Sequence, residues 1–204
     1  IKLSKSLNWH LDFLAKIFGS ELAEDVVETF KAAHRYCKVI DEENTKHLHN
    51  LKVCEAKNYT GESVGIALAQ TDRDNIQKTV FDNRQDIDVL VVRKESGNVQ
   101  IYTRTKCGVD LSNTVGLLRQ FENILQKRRK LSGKRCYDPG KLSDCGEWFY
   151  FSPPSKCDMI FNGSLTAPDV PATKLSNESI KTALVEGLKT PPIRLQEQSN
   201  IATD

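Results

Sequence analysis

Two short stretches of this 204-residue chain carry side chains suited to holding an anion. The first is Tyr102-Thr103-Arg104-Thr105-Lys106, where Arg104 offers a planar fork of five N–H donors and Lys106 a compact ammonium group. Such a pair suits a phosphate or a carboxylate. The second is Asn162-Gly163-Ser164-Leu165-Thr166, followed by Thr173-Lys174-Leu175-Ser176 ahead of a helical pattern. Gly163 lets backbone amides approach a ligand closely, and the start of the next helix offers N–H groups for an anion. Asn162, Gly163, Ser164, Thr166 and Lys174 are the candidate contacts there. A turn and a helix cap account for the same residues with no ligand at all, and both readings stand.

A third feature is electrostatic. Arg119 to Lys141 holds eight Lys/Arg against Glu122 and Asp138, a charge of +6, which leaves −4 on the rest of a chain whose net charge is +2. Lys127-Arg128-Arg129-Lys130 closes a helical pattern, where cations favour the helix C-terminal dipole. As a solvated helix end the cluster needs no partner; as a patch it would attract a polyanion such as a phosphodiester backbone.

The familiar catalytic signatures are missing. There is no Gly-x-Ser-x-Gly, Walker-type Gly-Lys-Ser/Thr, Gly-x-Gly-x-x-Gly or His-Glu-x-x-His motif. All four histidines fall in the first 50 residues. His47 and His49 would point apart on a helix, and His34 shares an apolar stripe with Cys37, which reads as a core histidine ahead of a Cys–His pair. The cysteines 37, 54, 107, 136, 145 and 157 contain no Cys-x-x-Cys pair. They read as thiols ahead of a zinc site or a disulfide framework, and with them the cytoplasm. Asn58, Asn162 and Asn177 open Asn-x-Ser/Thr sequons that this composition produces by chance.

These residues need elements to position them. Residues 1–50 have a helical period, with one stripe through Leu7, Leu11, Leu14 and Phe18 and a second helix capped by Ser20. From Val53 the period changes. Strands are expected at Val53, at 63–69 and at 86–92, the last apolar enough to be buried on both faces. A short helix opens at Thr71-Asp72-Arg73-Asp74, Glu95 to Asn98 is a hairpin turn, and Val99 to Arg104 pairs back. Asp110 caps a helix through Leu111, Val115, Leu118, Phe121 or Glu122, and Leu125, closing at Gly133. Glu147 to Phe151 and Met159 to Phe161 form an aromatic hairpin, whose rings suit either stacked bases or the covering of a sheet edge. Ser176 caps a last helix through Ile180, Leu184 and Leu188, and a polar tail follows Thr190-Pro191-Pro192.

The fold class is therefore α+β or α/β. A helical connector (1–50) precedes a small mixed-sheet domain (51–133), a loop-rich hairpin and helix packed on it (134–190), and a disordered tail (191–204). No stretch is long and apolar enough to cross a membrane. The chain opens at Ile1 without Met, which reads as the interior of a longer protein or one that has lost a leader.

Residues from about Ser63 to Leu125 resemble the C-terminal substrate-binding domain of the DHH phosphoesterases, a superfamily that includes nanoRNases, RecJ-type exonucleases and exopolyphosphatases. The resemblance rests on Asp86-Ile87-Asp88-Val89-Leu90-Val91-Val92, the Ser96 to Arg104 hairpin and the helix start Val109-Asp110-Leu111-Ser112. Ile160 to Thr166 with Pro171-Ala172-Thr173-Lys174-Leu175 is similar to the tails of divergent bacterial members. The resemblance implies that Arg104 contacts substrate phosphate, that Asn162 to Thr166 line the same cleft, and that the ligand is a phosphorylated small molecule, a nucleotide or a short oligonucleotide. It implies two Mn or Mg ions in a preceding domain built on Asp-rich motifs and the Asp-His-His triplet, which this chain lacks; this chain itself calls for no cofactor. The family's Gly-Gly-Gly-His loop is also absent, Leu131-Ser132-Gly133-Lys134 standing nearest. The expected function is a substrate-binding half, open to homodimer formation, and an enzyme only together with that domain. A stand-alone nucleic-acid-binding or interaction domain is the alternative.

Overall fold

A computed structural model describes residues 16, 20–73, 75–128, 134–153, 157–163 and 169–193. The chain divides into two units, residues 1–47 and 48–204.

The first unit contains helix α1, Ser20–His47, about 42 Å long at the usual rise of about 1.5 Å per residue. Its surface carries short-range ion pairs such as Lys31–Glu28 at 2.7 Å. His34 and Cys37 are exposed, so the expected core histidine is not a core residue. The stripe expected through Leu7, Leu11, Leu14 and Phe18 lies outside the described residues.

The second unit is an α+β sandwich around one seven-stranded mixed sheet, ordered β1-β2-β3-β4-β7-β6-β5. Its strands are β1 Lys52–Lys57, β2 Ser63–Gln70, β3 Val89–Arg93, β4 Val99–Thr103, β5 Gly140–Leu142, β6 Cys145–Phe151 and β7 Met159–Asn162. Only β2 and β3 pair in parallel; every other pair is antiparallel. A parallel pair needs a crossover, and helix α2, Ile76–Asn83, supplies it. Val89, Leu90, Val91 and Val92 are all buried, because α2 packs on one face of β3 while helices α3 (Ser112–Leu125) and α4 (Asn177–Lys189) pack on the other.

Helix α4 begins as its sequence implies: the Ser176 hydroxyl accepts the Ser179 N–H at 3.1 Å, and Ile180, Leu184 and Leu188 are buried. Helix α2 starts later than expected, because Asp72 turns to the Glu95 N–H of the neighbouring hairpin instead of capping it. Helix α3 ends at Leu125, well short of Gly133, which lies outside the described residues. Lys127 follows in a left-handed conformation, φ 54°. Leu125 itself is 52% exposed, whereas Glu122 takes the buried position.

The loop-rich segment 134–190 is no separate layer. Its β7 pairs with β4, Val99 opposite Asn162 and Tyr102 opposite Met159, so β5 to β7 continue the sheet. The tail beyond residue 193 lies outside the described residues, among which no helix is long and apolar enough to cross a membrane.

Candidate functional site

Arg104 leaves the end of β4 and turns back over α2. Its Nε and Nη2 donate to the Ile87 carbonyl, Nη2 also to Arg84 O, and Nη1 to Phe81 O and the Gln85 side chain. The guanidinium also lies 5.1 Å from the centre of the Phe81 ring. All five N–H donors are directed at the chain itself, chiefly at the carbonyls that a helix C-terminus leaves without intrahelical partners. As placed, Arg104 closes the α2 C-terminus and offers no donor to a phosphate. Lys106, two residues on, is exposed at φ 66°.

Asn162 ends β7, beside the other end of β4. Val99 faces Asn162, and five residues separate Val99 from Arg104, about 17 Å at about 3.4 Å per residue. The length of β4 therefore separates Arg104 from Asn162. Asn162 is fully buried and ties three segments together. Its Nδ2 donates to Glu147 O and Pro171 O, both at 3.0 Å, while its Oδ1 accepts the Thr173 N–H at 2.8 Å. Gly163 follows at φ +73°, and a Cβ there would stand 2.6 Å from the Asn98 amide nitrogen. That amide donates to Asn162 O, so Gly163 serves a close approach within the chain. Ser164 and Thr166 lie outside the described residues.

Lys174 is drawn to α3 by its main chain. Its N–H donates to Glu122 Oε1 at 3.2 Å, leaving the side chain exposed. The buried Glu122 carboxylate also accepts from Trp148 Nε1 at 3.2 Å, Gln126 Nε2 at 2.9 Å and the Thr173 hydroxyl. Four neutral donors thus satisfy a carboxylate that periodicity put on the apolar line of the helix.

Two arginines of the basic stretch are engaged within the chain. The Arg128 guanidinium forks onto Glu147 at 2.9 and 2.5 Å, holding that carboxyl below its ordinary range against the opposing effect of burial. Arg119, at the head of the charged stretch, is wholly buried and donates to the carbonyls of Cys136, Asp138, Gly140 and Trp148. Burial lowers its pKa. Lys127 is exposed; Arg129 and Lys130 lie outside the described residues.

The aromatic hairpin supplies what the anion candidates do not. On the sheet face opposite α3 and α4, helix α2 reaches only β2, β3 and the edge of β4. Beyond it, register brings Tyr102, Met159, Phe161, Phe149 and Phe151 onto one surface: Phe149 faces Phe161, and Met159 lies between Tyr102 and Phe151. Tyr102 and Phe161 meet edge to face at 5.6 Å and 77°. Phe149 and Phe151 are 41% and 45% exposed. Burial pushes the Tyr102 hydroxyl up to about 12, so it stays protonated and donates to Gln100 Oε1. Lys141 pairs opposite Phe149 and lies over Gly146, where a Cβ would meet its Cε at 2.9 Å. The Arg128–Glu147 pair stands two residues from Phe149 along β6. The aromatic run Trp148 to Phe151 is the sequence signal for this strand; which face stays uncovered depends on where α2 ends.

Among the described residues no cluster of three or more His, Cys, Asp or Glu side chains could hold a metal ion, and the cysteines form no disulfide. Compared with known proteins, the chain matches no family model, no curated protein and no solved structure.

Proposed function

We propose that the second unit is a binding module for nucleotides or short single-stranded oligonucleotides, which stack on the β4-β7-β6 face. The carrying observation is that Phe161, Phe149 and Phe151 share a sheet surface beyond the reach of α2, bounded by the half-buried Tyr102 on one side, with Lys141 at its margin. Flat rings accept any base, and a base stacked on an aromatic side chain contributes about 1–3 kcal/mol. Lys141, opposite Phe149, supplies positive charge at the margin where a phosphodiester backbone would run. The DHH resemblance points the same way, towards a substrate-holding half that would work beside a metal-binding domain. In that arrangement the module supplies binding and orientation, and no chemical step falls to its own residues. A cytoplasmic setting, where six thiols stay reduced, accords with the reading.

Fluorescence anisotropy with a labelled hexanucleotide tests it. The double variant Phe149→Ala/Phe151→Ala should lose at least tenfold in affinity with an unchanged thermal midpoint, since both rings are half exposed. Lys141→Ala should weaken binding and flatten its salt dependence. Equal affinity of wild type and the double variant would overturn the proposal.

A further inference from the structure

A separate cleft lies on the opposite side of the sheet, between the first turns of α4 and the edge strand β1. Its floor is Cys54, Ile66, Leu68 and Val91, its wall Ile180 and Leu184, and its volume is about 160 Å³. An apolar void of about 150 Å³ admits a benzene-sized guest. The mouth is charged. Lys52 stands at the start of β1, and Glu178 and Lys181 stand on the first turns of α4. The side chains of all three are exposed, and among the described residues none of their charged groups makes an ion pair or side-chain hydrogen bond.

We propose that this cleft binds a small amphipathic monocarboxylate: an apolar body of about six carbons on the floor, with its single carboxylate between Lys52 and Lys181. Size sets the body, because a longer chain would project past the mouth. Charge sets the head. Two ammonium groups and one carboxylate leave the rim at +1, which a monoanion neutralises, while Glu178 opposes a second negative charge. The early turns of α4 add a favourable dipole for that carboxylate. The site shares no residue with the aromatic face, so it stands or falls independently of the oligonucleotide reading.

Cys54, half-buried in the floor, serves as the reporter. In the full-length chain, alkylation of each cysteine by N-ethylmaleimide is followed by peptide mass spectrometry, with hexanoate, 1-hexanol or hexylamine present at equal concentration. Hexanoate should slow labelling of Cys54 at least fivefold while leaving the exposed Cys37 unaffected. Hexanol and hexylamine should protect far less, and Lys52→Glu/Lys181→Glu, two surface changes, should abolish protection by hexanoate. Protection by hexanol or hexylamine equal to that by hexanoate, protection surviving the double variant, or no protection of Cys54 by hexanoate would each overturn the proposal.

Discussion

Arg104 gives two of its N–H groups to one acceptor: Nε and Nη2 both donate to the carbonyl of Ile87, at 3.0 and 2.7 Å. With the Phe81 and Arg84 carbonyls added, one side chain closes the end of α2 and the loop leading into β3. Arg104→Ala should therefore lower stability in urea by about 2–3 kcal/mol, the cost of leaving several carbonyls without a charged donor. Arg104→Lys should recover less than half of that, since a point charge cannot span three carbonyls. Oligonucleotide affinity of the folded variants should stay within twofold of wild type. A large loss of affinity with unchanged stability would instead make Arg104 a ligand-contacting residue.

Arg119 is the stronger case. It is fully buried, and its donors meet four carbonyls from the segment 136–148. Arg119→Met keeps the volume and removes every donor. The loss should exceed about 4 kcal/mol, placing it among the severe substitutions. Chemical denaturation, or the absence of folded protein on expression, reads the effect.

The Arg128–Glu147 pair has a pH signature. The guanidinium lowers the Glu147 carboxyl from its ordinary 4.5 in the folded chain. A depressed carboxylate contributes stability that is fully present above the unfolded-state value and is lost as pH falls through the lower folded-state value. The gap in urea midpoint between wild type and Arg128→Gln should be widest near neutrality and should close on acidification below about pH 4. A gap constant from pH 7 to pH 3 would show that the pair is not its source.

Gly187 on α4 lies against Thr114 on α3. A Cβ there would stand 2.5 Å from Thr114 Oγ1 and 2.7 Å from its backbone nitrogen. Gly187→Ala should cost about 1–3 kcal/mol by forcing the helices apart, although alanine is the better helix former. Thermal denaturation checks the sign, because helix propensity alone predicts stabilisation.

The elements were largely legible from local pattern. The apolar run Val89 to Val92 could only be a strand buried on both faces, and Ser176 could be read as a cap because its hydroxyl serves an N–H three residues away. The aromatic run of 148–151 likewise reads as a strand. The partners of the polar side chains were not legible. Arg104 reads as an anion fork in sequence because its acceptors, Phe81, Arg84 and Ile87, lie about 20 residues back. Periodicity leaves Phe121 or Glu122 for the buried line of α3, and only the arrival of Trp148 and Thr173 as donors puts Glu122 there.

What the sequence by itself determined was the α+β class, the succession of helices and strands, and the residue types able to bind an anion or stack a base. Those follow from periodicity and capping, which act within a few residues. Only the tertiary structure decided that β5 to β7 extend the sheet, that Arg104 follows one end of β4 while Asn162 on β7 pairs beside the other, and that Arg119 is enclosed in the core. Those outcomes depend on strand register and on buried carbonyls needing donors, both set by contacts between residues far apart in the chain.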